Sequence, residues 1–250
     1  MNKYCLVIPH YKQQELFAQF LPRLVKLNLP CFIVDDGSGK EVCSQLHEMV
    51  KGVSDFHLYQ HKNNRGKGAA VITGLYQASA KGFSHIIQID ADGQHNVDDI
   101  EKMIKISMTR PHAIICGKPV FDESAPLARV IGRKLTTLCA VLETFSLIIK
   151  DGHFGFRVYP VREFEGILDR YFIGRGMDFD TDVLVKAVWA NIDIEFIPSK
   201  VIYHENSVSH YRYLIDNIIM IRLHMRLIFK RLFGIHNLVS LGARRFLNKQ

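Results

Sequence analysis

IIQIDADGQH, residues Ile86 to His95, opens as a buried strand and closes in acid. Ile86, Ile87 and Ile89 want a core, while Asp90, Asp92 and Gln94 gather where that strand ends. Two carboxylates this close repel each other unless a positive charge stands between them. The stretch therefore asks for a sheet that covers the isoleucines and for a cation that serves the aspartates.

Similar apolar runs precede and follow it. Tyr4–Ile8, Cys31–Val34, Phe56–Gln60, His85–Ile89 and Ala113–Cys116 read as strands, near-continuously apolar as strands covered on both faces are. Helical patterns lie between them, near 12–27, 39–51, 67–81 and 97–108. Pro22 is expected to kink or divide the first, and Asn96, with Asp99 three residues on, stands where the N-cap of the last belongs. Repeated βα units imply an α/β fold with a mostly parallel sheet and helices on both faces. Ligands of such sheets bind beyond the carboxyl ends of the strands. The second half is less regular: a helix over Leu127–Ile149, a strand over Gly155–Tyr159, a helix over 177–190, a strand over 192–198 and a long helix over Tyr211–Phe233. With no repeat or linker in view, the reading is one compact unit, 1–210, carrying a helical tail, 211–250.

The 250 residues suffice for a sizeable core, and 48% apolar and 23% charged residues are ordinary for a globular protein. A net charge of +7 favours acidic partners. Of five cysteines, Cys5, Cys31 and Cys116 fall within expected strands, and none forms a C-x-x-C pair. That usage fits a reducing compartment. The sequence starts directly on the YCLVIP strand without a leader pattern, and no stretch has the roughly 18 uncharged apolar residues of a spanning helix. The expected location is cytoplasmic, or peripheral on the cytoplasmic membrane face.

If the strands are parallel, four stretches meet at one edge: IPHY (Ile8–Tyr11), VDDGSG (Val34–Gly39), NNRGKGAA (Asn63–Ala70) and DADGQ (Asp90–Gln94). They bring carboxylates, glycines that permit close backbone approach, and the cations Arg65 and Lys67. Asp-x-Asp occurs three times, but only Asp90/Asp92 follows a buried strand. With Gln94 it offers hard oxygen ligands, suited to Mg²⁺ or Mn²⁺ rather than zinc. The alternative is a plain turn at Asp92 and Gly93.

VIPHY, VDDGS, N-x-R-G-K-G-A-A and DADGQH, in this order and spacing, resemble family 2 glycosyltransferases of the GT-A fold. The resemblance spans about residues 4–190 and is strongest to the branch of dolichyl-phosphate mannose synthases and other polyprenyl-phosphate sugar transferases. It implies a Rossmann-like GT-A sheet with an amphipathic C-terminal tail. It also implies Mg²⁺ or Mn²⁺, a UDP-, GDP- or dTDP-linked donor, and a lipid-linked or glycan acceptor, with inversion at the sugar. Pro9 and Tyr11 would line the base pocket, and Asp35 or Asp36 would accept from base or ribose. Lys67 and Gly68 would lie by the nucleotide; Asp90, Asp92 and Gln94 would hold the metal–diphosphate unit. A turn at VDDGS with Ser38 as cap, and a glycine-rich helix start at NNRGKGAA, are the plain structural alternatives.

DGHFGFRVY (151–159) matches the branch's D-x-x-x-G-F-R segment. Arg129 and Arg133, four apart on one helix face, and Arg157 are candidate clamps for a diphosphate or acceptor phosphate. Otherwise they form a solvated basic face. Asp180 in MDFDTDVL resembles the acidic catalytic motif of inverting members, with Asp182 as second choice. The common Glu-Asp pair is here Phe179-Asp180, and a helix-start acidic cluster is the alternative. His204 and His210 of HENSVSH read as structural or solvated, the alternative being an approach to the diphosphate or metal from a closing loop.

In the tail, Arg222, Arg226 and Lys230 recur every four residues beside Ile218, Ile221, Met225 and Phe233. This suits either a helix lying on an anionic membrane surface or one packed on protein. Rival functions fare worse. A sugar nucleotidyltransferase wants a glycine- and arginine-rich loop after the first strand, and IPHYKQQ has no glycine. A nucleic-acid binder wants a cationic stripe with aromatics, whereas these cations sit by acidic strand ends and in the tail. An inactive nucleotide-sugar-binding homologue is opposed by the presence of Asp90, Asp92 and Asp180.

Overall fold

The computed structural model describes residues 2–121, 127–202 and 213–235, excluding the side chains of 127–130 and 213–214. Four βα units come first: β1 (Tyr4–His10), α1 (Gln14–Val25), β2 (Cys31–Asp35), α2 (Lys40–Val50), β3 (Phe56–Gln60), α3 (Lys67–Ala80), β4 (His85–Gln88) and α4 (Asp99–Thr109). Then follow β5 (Ile114–Val120), α5 (Leu127–Thr144), β6 (Arg157–Pro160), α6 (Val161–Arg170), α7 (Phe179–Trp189), β7 (Ile194–Lys200) and α8 (Tyr213–Leu232).

The seven strands form one sheet in the order β3-β2-β1-β4-β6-β5-β7. The left half is parallel throughout, and β6 alone runs antiparallel to both neighbours. Alternation along β1 explains its unbroken apolar run. Cys5 and Val7 face a core shared with α3, α6 and α7, while Leu6 and Ile8 face a core shared with α1, α2 and α4. With both faces covered by helices, no strand position there can be polar without a partner. The crossovers after β1 and β2 build outward, and the one after β3 returns to place β4 on the other side of β1. That reversal opens the crevice where α/β sheets bind ligands.

Several expectations need correction. Pro22 lies inside α1 without dividing it: it stands in the last turn, three residues before the helix ends at Val25, so the ladder loses only the bond its missing N–H would have made. Asn96 does not cap α4; it accepts from the Asp98 N–H, and the helix starts at Asp99. The helix expected to reach Ile149 stops at Thr144, because Phe145 turns left-handed (φ 52°). Helix α6 was not expected at all.

Helix α8 packs on α5, burying Met220, Leu223 and Leu227. Arg226 does not share a free basic face with Arg222 and Lys230; it reaches Asp182 (3.5 Å). No helix among the described residues is long and apolar enough to cross a membrane. Residues 203–212, with His204 and His210, and 236–250 lie outside the described residues.

Candidate active site

The parallel register brings His10, Asp35, Gln60 and Gln88 to one edge, at the carboxyl ends of β1 to β4. Because β6 is antiparallel, its first residue, Arg157, pairs with Gln88 at that edge as well. The D-x-x-x-G-F-R segment therefore arrives beside DADGQH.

Asp35 and Asp36 are both buried and both engaged. Asp35 accepts from His10 (3.0 Å), from the Ser38 N–H (3.1 Å) and from the Ser38 hydroxyl. Burial works to raise its carboxyl, but these bonds outweigh it and hold the group below its usual range. Asp36 accepts from the backbone N–H groups of Arg65 (2.9 Å) and Gly66 (2.7 Å) and pairs with His61 (2.7 Å). Its carboxylate thus staples the loop that launches α3. Gly66 has φ +96°, and a Cβ there would collide with the Arg175 carbonyl, so the loop tolerates only glycine. Gly68 abuts the Phe179 ring just as closely, tying α3 to α7. Pro9 is buried in β1 beside Val34, and Tyr11 lies just past the strand end under the Lys12 ammonium.

At the centre stands Lys67. Its Nζ lies 2.8 and 3.0 Å from the two oxygens of Asp90 and 2.9 Å from Asp180 Oδ2. Gln88 donates to the other Asp180 oxygen (2.9 Å). Burial would strip the lysine of its proton, but Asp180 and Asp90 overcome this and raise its pKa. In return, burial works to raise Asp180, and Lys67 with Arg157 hold it below the usual carboxylate range. Gly155 makes this assembly possible: a Cβ there would stand 2.5 Å from the ammonium and 2.8 Å from Gln88 Nε2.

One turn away, Asp92 Oδ1 accepts from the Gln94 N–H (3.0 Å) around Gly93 (φ 70°). Asp92 is thus a turn residue, and its chemistry goes further. Burial first, and then the charge of Asp90, push its carboxyl above its usual value, as in an acid that lacks a counter-charge. His95 supports the turn from below. Its Nδ1 accepts from the Asp90 N–H (3.2 Å), and its ring stacks on Phe156 (5.2 Å) and meets the edge of Phe154 (4.6 Å). Burial keeps it neutral against the pull of Asp90 and Asp92. Among the described residues no three His, Cys, Asp or Glu side chains converge on a cation. Two hard carboxylates without a third fit Mg²⁺ or Mn²⁺, which take one or two protein carboxylates and complete their shell with substrate phosphates.

Other expected residues lie apart. Arg157 is no open clamp: it is fully buried, and its guanidinium donates to the carbonyls of Phe154, Gly152 and Asp180 and to Tyr159 Oη. It supports the floor of the site, with its charge 3.8 Å from Asp180 Oδ1. Arg133 pairs with Asp151 (2.6 Å), whose other oxygen caps His153 and Phe154. The Arg129 side chain lies outside the described residues. Asp182 faces away from Asp180: it takes the Gly174 N–H (2.8 Å), Lys186 (2.5 Å) and Arg226. Two residues along a helix is more than half a turn, so the pair cannot share a site.

The sequence reading gave no role to Gln88, His61, His95 or Gly155. The first has a legible signal, a polar residue inside the apolar run Ile86–Ile89. A buried amide must find a partner, and here it finds Asp180.

Residues 5–162 match the family model "Glycosyl transferase family 2". UDP-N-acetylglucosamine–dolichyl-phosphate N-acetylglucosaminyltransferase of Methanococcus voltae is 26% identical over 82% of this chain and 87% of its own length. Dolichyl-phosphate beta-glucosyltransferase of Saccharomyces cerevisiae is 27% identical over 75% of this chain and 60% of its own. Among solved structures, glucosyl-3-phosphoglycerate synthase from Mycobacterium tuberculosis, bound to Mn²⁺, UDP-glucose and phosphoglyceric acid, superposes with a TM-score of 0.63. The superposition covers 96% of this chain and 82% of that one at 11% identity. S. aureus TarS with UDP-GlcNAc superposes at 0.58 over 92% and 67%, at 16% identity. At such identities the likeness is one of fold.

Proposed function

The chain belongs to glycosyl transferase family 2 and is a nucleotide-sugar glycosyltransferase, and from that premise we propose that it moves a hexose from a UDP-sugar onto the phosphate of a polyprenyl lipid, with inversion. Asp90 and Asp92 would hold Mg²⁺ or Mn²⁺, with Gln94 beside them. The metal, when bound, would supply positive charge to the departing diphosphate.

The observation that carries the acceptor class is the state of Asp180. Lys67 and Gln88 occupy both its oxygens, and its carboxyl is held below the usual range. Such a group is a weak base. A hydroxyl acceptor must lose a proton as it attacks, whereas a phosphate arrives ionised and needs no base. A phosphate oxygen would form the new bond to the anomeric carbon as the bond from that carbon to the nucleoside diphosphate breaks. Asp180 would then act as a fixed charge that holds Lys67 in the resting site and stays ionised on Gln88 and Arg157, rather than by taking a proton. The names of the Methanococcus and yeast relatives point to the same acceptor chemistry.

A lipid acceptor also accounts for the outer face of α5 and α8. Leu135, Leu138 and Leu142 on α5 lie exposed at three- and four-residue spacing, and Ile221, Met225 and Phe229 lie exposed on α8, which packs on α5. The acids of this pair, Glu143 and Asp216, are buried, while Lys134, Lys150 and Arg222 are exposed. An apolar face with a cationic rim complements an anionic bilayer. It opposes a twofold contact with a second copy, where cations would meet cations.

The test is transfer of labelled sugar from UDP-GlcNAc, UDP-glucose and GDP-mannose, with Mn²⁺, to polyprenyl phosphate or to the corresponding alcohol. Label should enter the organic phase only with the phosphate and a UDP-sugar. Equal transfer to the alcohol would overturn the acceptor assignment, and transfer from GDP-mannose alone would overturn the donor.

A further inference from the structure

We propose that Lys67 is an internal counter-ion that keeps the resting site closed to free metal, competing with a divalent cation for Asp90 until a donor diphosphate draws the ammonium away. The inference rests on the metal-dependent reading above and adds to it an order of events and a residue that sets it.

Lys67 has no helical reason to stand where it does. It is the first residue of α3, at the positive end of the helix dipole, with no acid in that first turn. A cation there is locally unfavourable. Asp90 and Asp180 hold it in place, and the missing side chain of Gly155 makes room for it. The lysine side chain is 18% exposed, so it is not sealed in the core. An ammonium on a flexible four-carbon stem can move between anions more readily than a planar guanidinium fixed by several bonds. Arg157, locked onto three carbonyls, is that fixed partner.

The two carboxylates respond differently when Lys67 leaves. Asp180 keeps the Gln88 amide (2.9 Å) and the Arg157 charge (3.8 Å). Asp90 is left beside Asp92, two residues on, with the His95 ring 3.7 Å away as its remaining neighbour of opposite character. Asp90 then requires another cation. While Lys67 stays, a divalent ion on Asp90 would meet an ammonium within ångströms, and the two would repel. A diphosphate satisfies both cations at once. Metal and nucleotide should therefore bind with positive coupling, and that coupling should run through the charge on Lys67.

The experiment is calorimetric titration of the full chain with Mn²⁺ alone and with Mn²⁺ in the presence of UDP. The proteins are wild type, Lys67→Gln and Lys67→Arg, with Lys67→Met as a second neutral variant should the glutamine variant fold poorly. Removing the competing charge should tighten binding of Mn²⁺ alone by at least about tenfold, while Lys67→Arg stays near wild type. The gain in Mn²⁺ affinity conferred by UDP, large in wild type, should shrink in the neutral variants. A supporting lysine without this role gives the opposite sign, because its loss would weaken Mn²⁺ binding too. If wild type binds Mn²⁺ with UDP but the neutral variants bind Mn²⁺ alone no more tightly, the inference fails and the metal reading stands. If no protein binds Mn²⁺ even with UDP, both fall.

Discussion

Replacing Gly155 by alanine adds one methyl group at the most crowded point of the site. The new Cβ would stand 2.5 Å from Lys67 Nζ, 2.8 Å from Gln88 Nε2 and 3.2 Å from Asp90 Oδ1. Ordinary contact needs about 3.5 Å, so the ammonium must retreat by about 1 Å. It cannot do so and keep both carboxylates. Losing one charge-assisted bond costs about 1.5–3 kcal/mol. Against this, alanine restricts the unfolded chain, worth about 0.4–1 kcal/mol in favour of the fold. The net loss is about 1–2 kcal/mol, which for a domain of this size lowers Tm by about 2–8 °C. Turnover should fall further, because a misplacement of about 1 Å can cost about a hundredfold. Thermal denaturation and initial rates at saturating donor read the two effects. Gly166→Ala in α6 is the control: it meets nothing within 4 Å, and its Tm should hold or rise. If Gly155→Ala keeps wild-type Tm and turnover, the packing of Lys67, Gln88 and Asp90 around that glycine is wrong.

Asp92→Asn should leave Tm unchanged or raise it in metal-free buffer, because the ionised form is disfavoured by burial and by Asp90, and an amide oxygen can still accept from Gln94. The same variant should lose the rise in Tm that Mn²⁺ with UDP gives wild type; a clear fall in metal-free Tm would contradict this account of Asp92. His153 gives a pH signature. Burial first, and then the Arg133 guanidinium, hold its pKa down to about 4, against about 6.5 unfolded. The unfolded chain therefore takes the proton first, so this stability is whole above about pH 6.5 and is lost as pH falls through 4, by about 3 kcal/mol in all. Urea unfolding from pH 7.5 to 4.5 should show a shallower decline for His153→Gln than for wild type, while the buried Glu143, whose raised pKa acts in the opposite sense, cancels between the two proteins. Equal slopes would remove His153 from the account. Leu138→Glu with Met225→Glu should cut sedimentation with phosphatidylglycerol vesicles by at least about tenfold and leave phosphatidylcholine binding weak in both proteins; undiminished binding would exclude the α5–α8 face as the lipid contact.

The alternation of apolar runs with helical patterns fixed β1 to β4 and α1 to α4 to within a few residues, since both signals are local. The glycines and acids at the strand ends were legible for the same reason. Helix α6 was missed although Val161, Phe164 and Ile167 mark its buried face, because its ten residues follow directly on β6 without a loop between them. Arg157 read as a phosphate clamp because a guanidinium in a family motif invites that role. Its burial under the Phe154, Gly152 and Asp180 carbonyls depends on an antiparallel strand that no local pattern announces. Asp36 and Asp182 likewise carried the right charge, but the loop before Lys67 claims the first, and Lys186 with Arg226 claims the second.

Sequence alone determined that acids, glycines and a lysine would collect at one edge of a doubly covered sheet, because periodicity and strand direction are written in neighbouring residues. Only the tertiary structure decided which acid answers to which cation. Asp90 and Asp180 are 90 residues apart in the chain, and what joins them is the ammonium of Lys67, which finds both within 3 Å once α3 and α7 lie over the strand ends. Electrostatic energy follows distance in space, and a chain does not state that distance until it has folded.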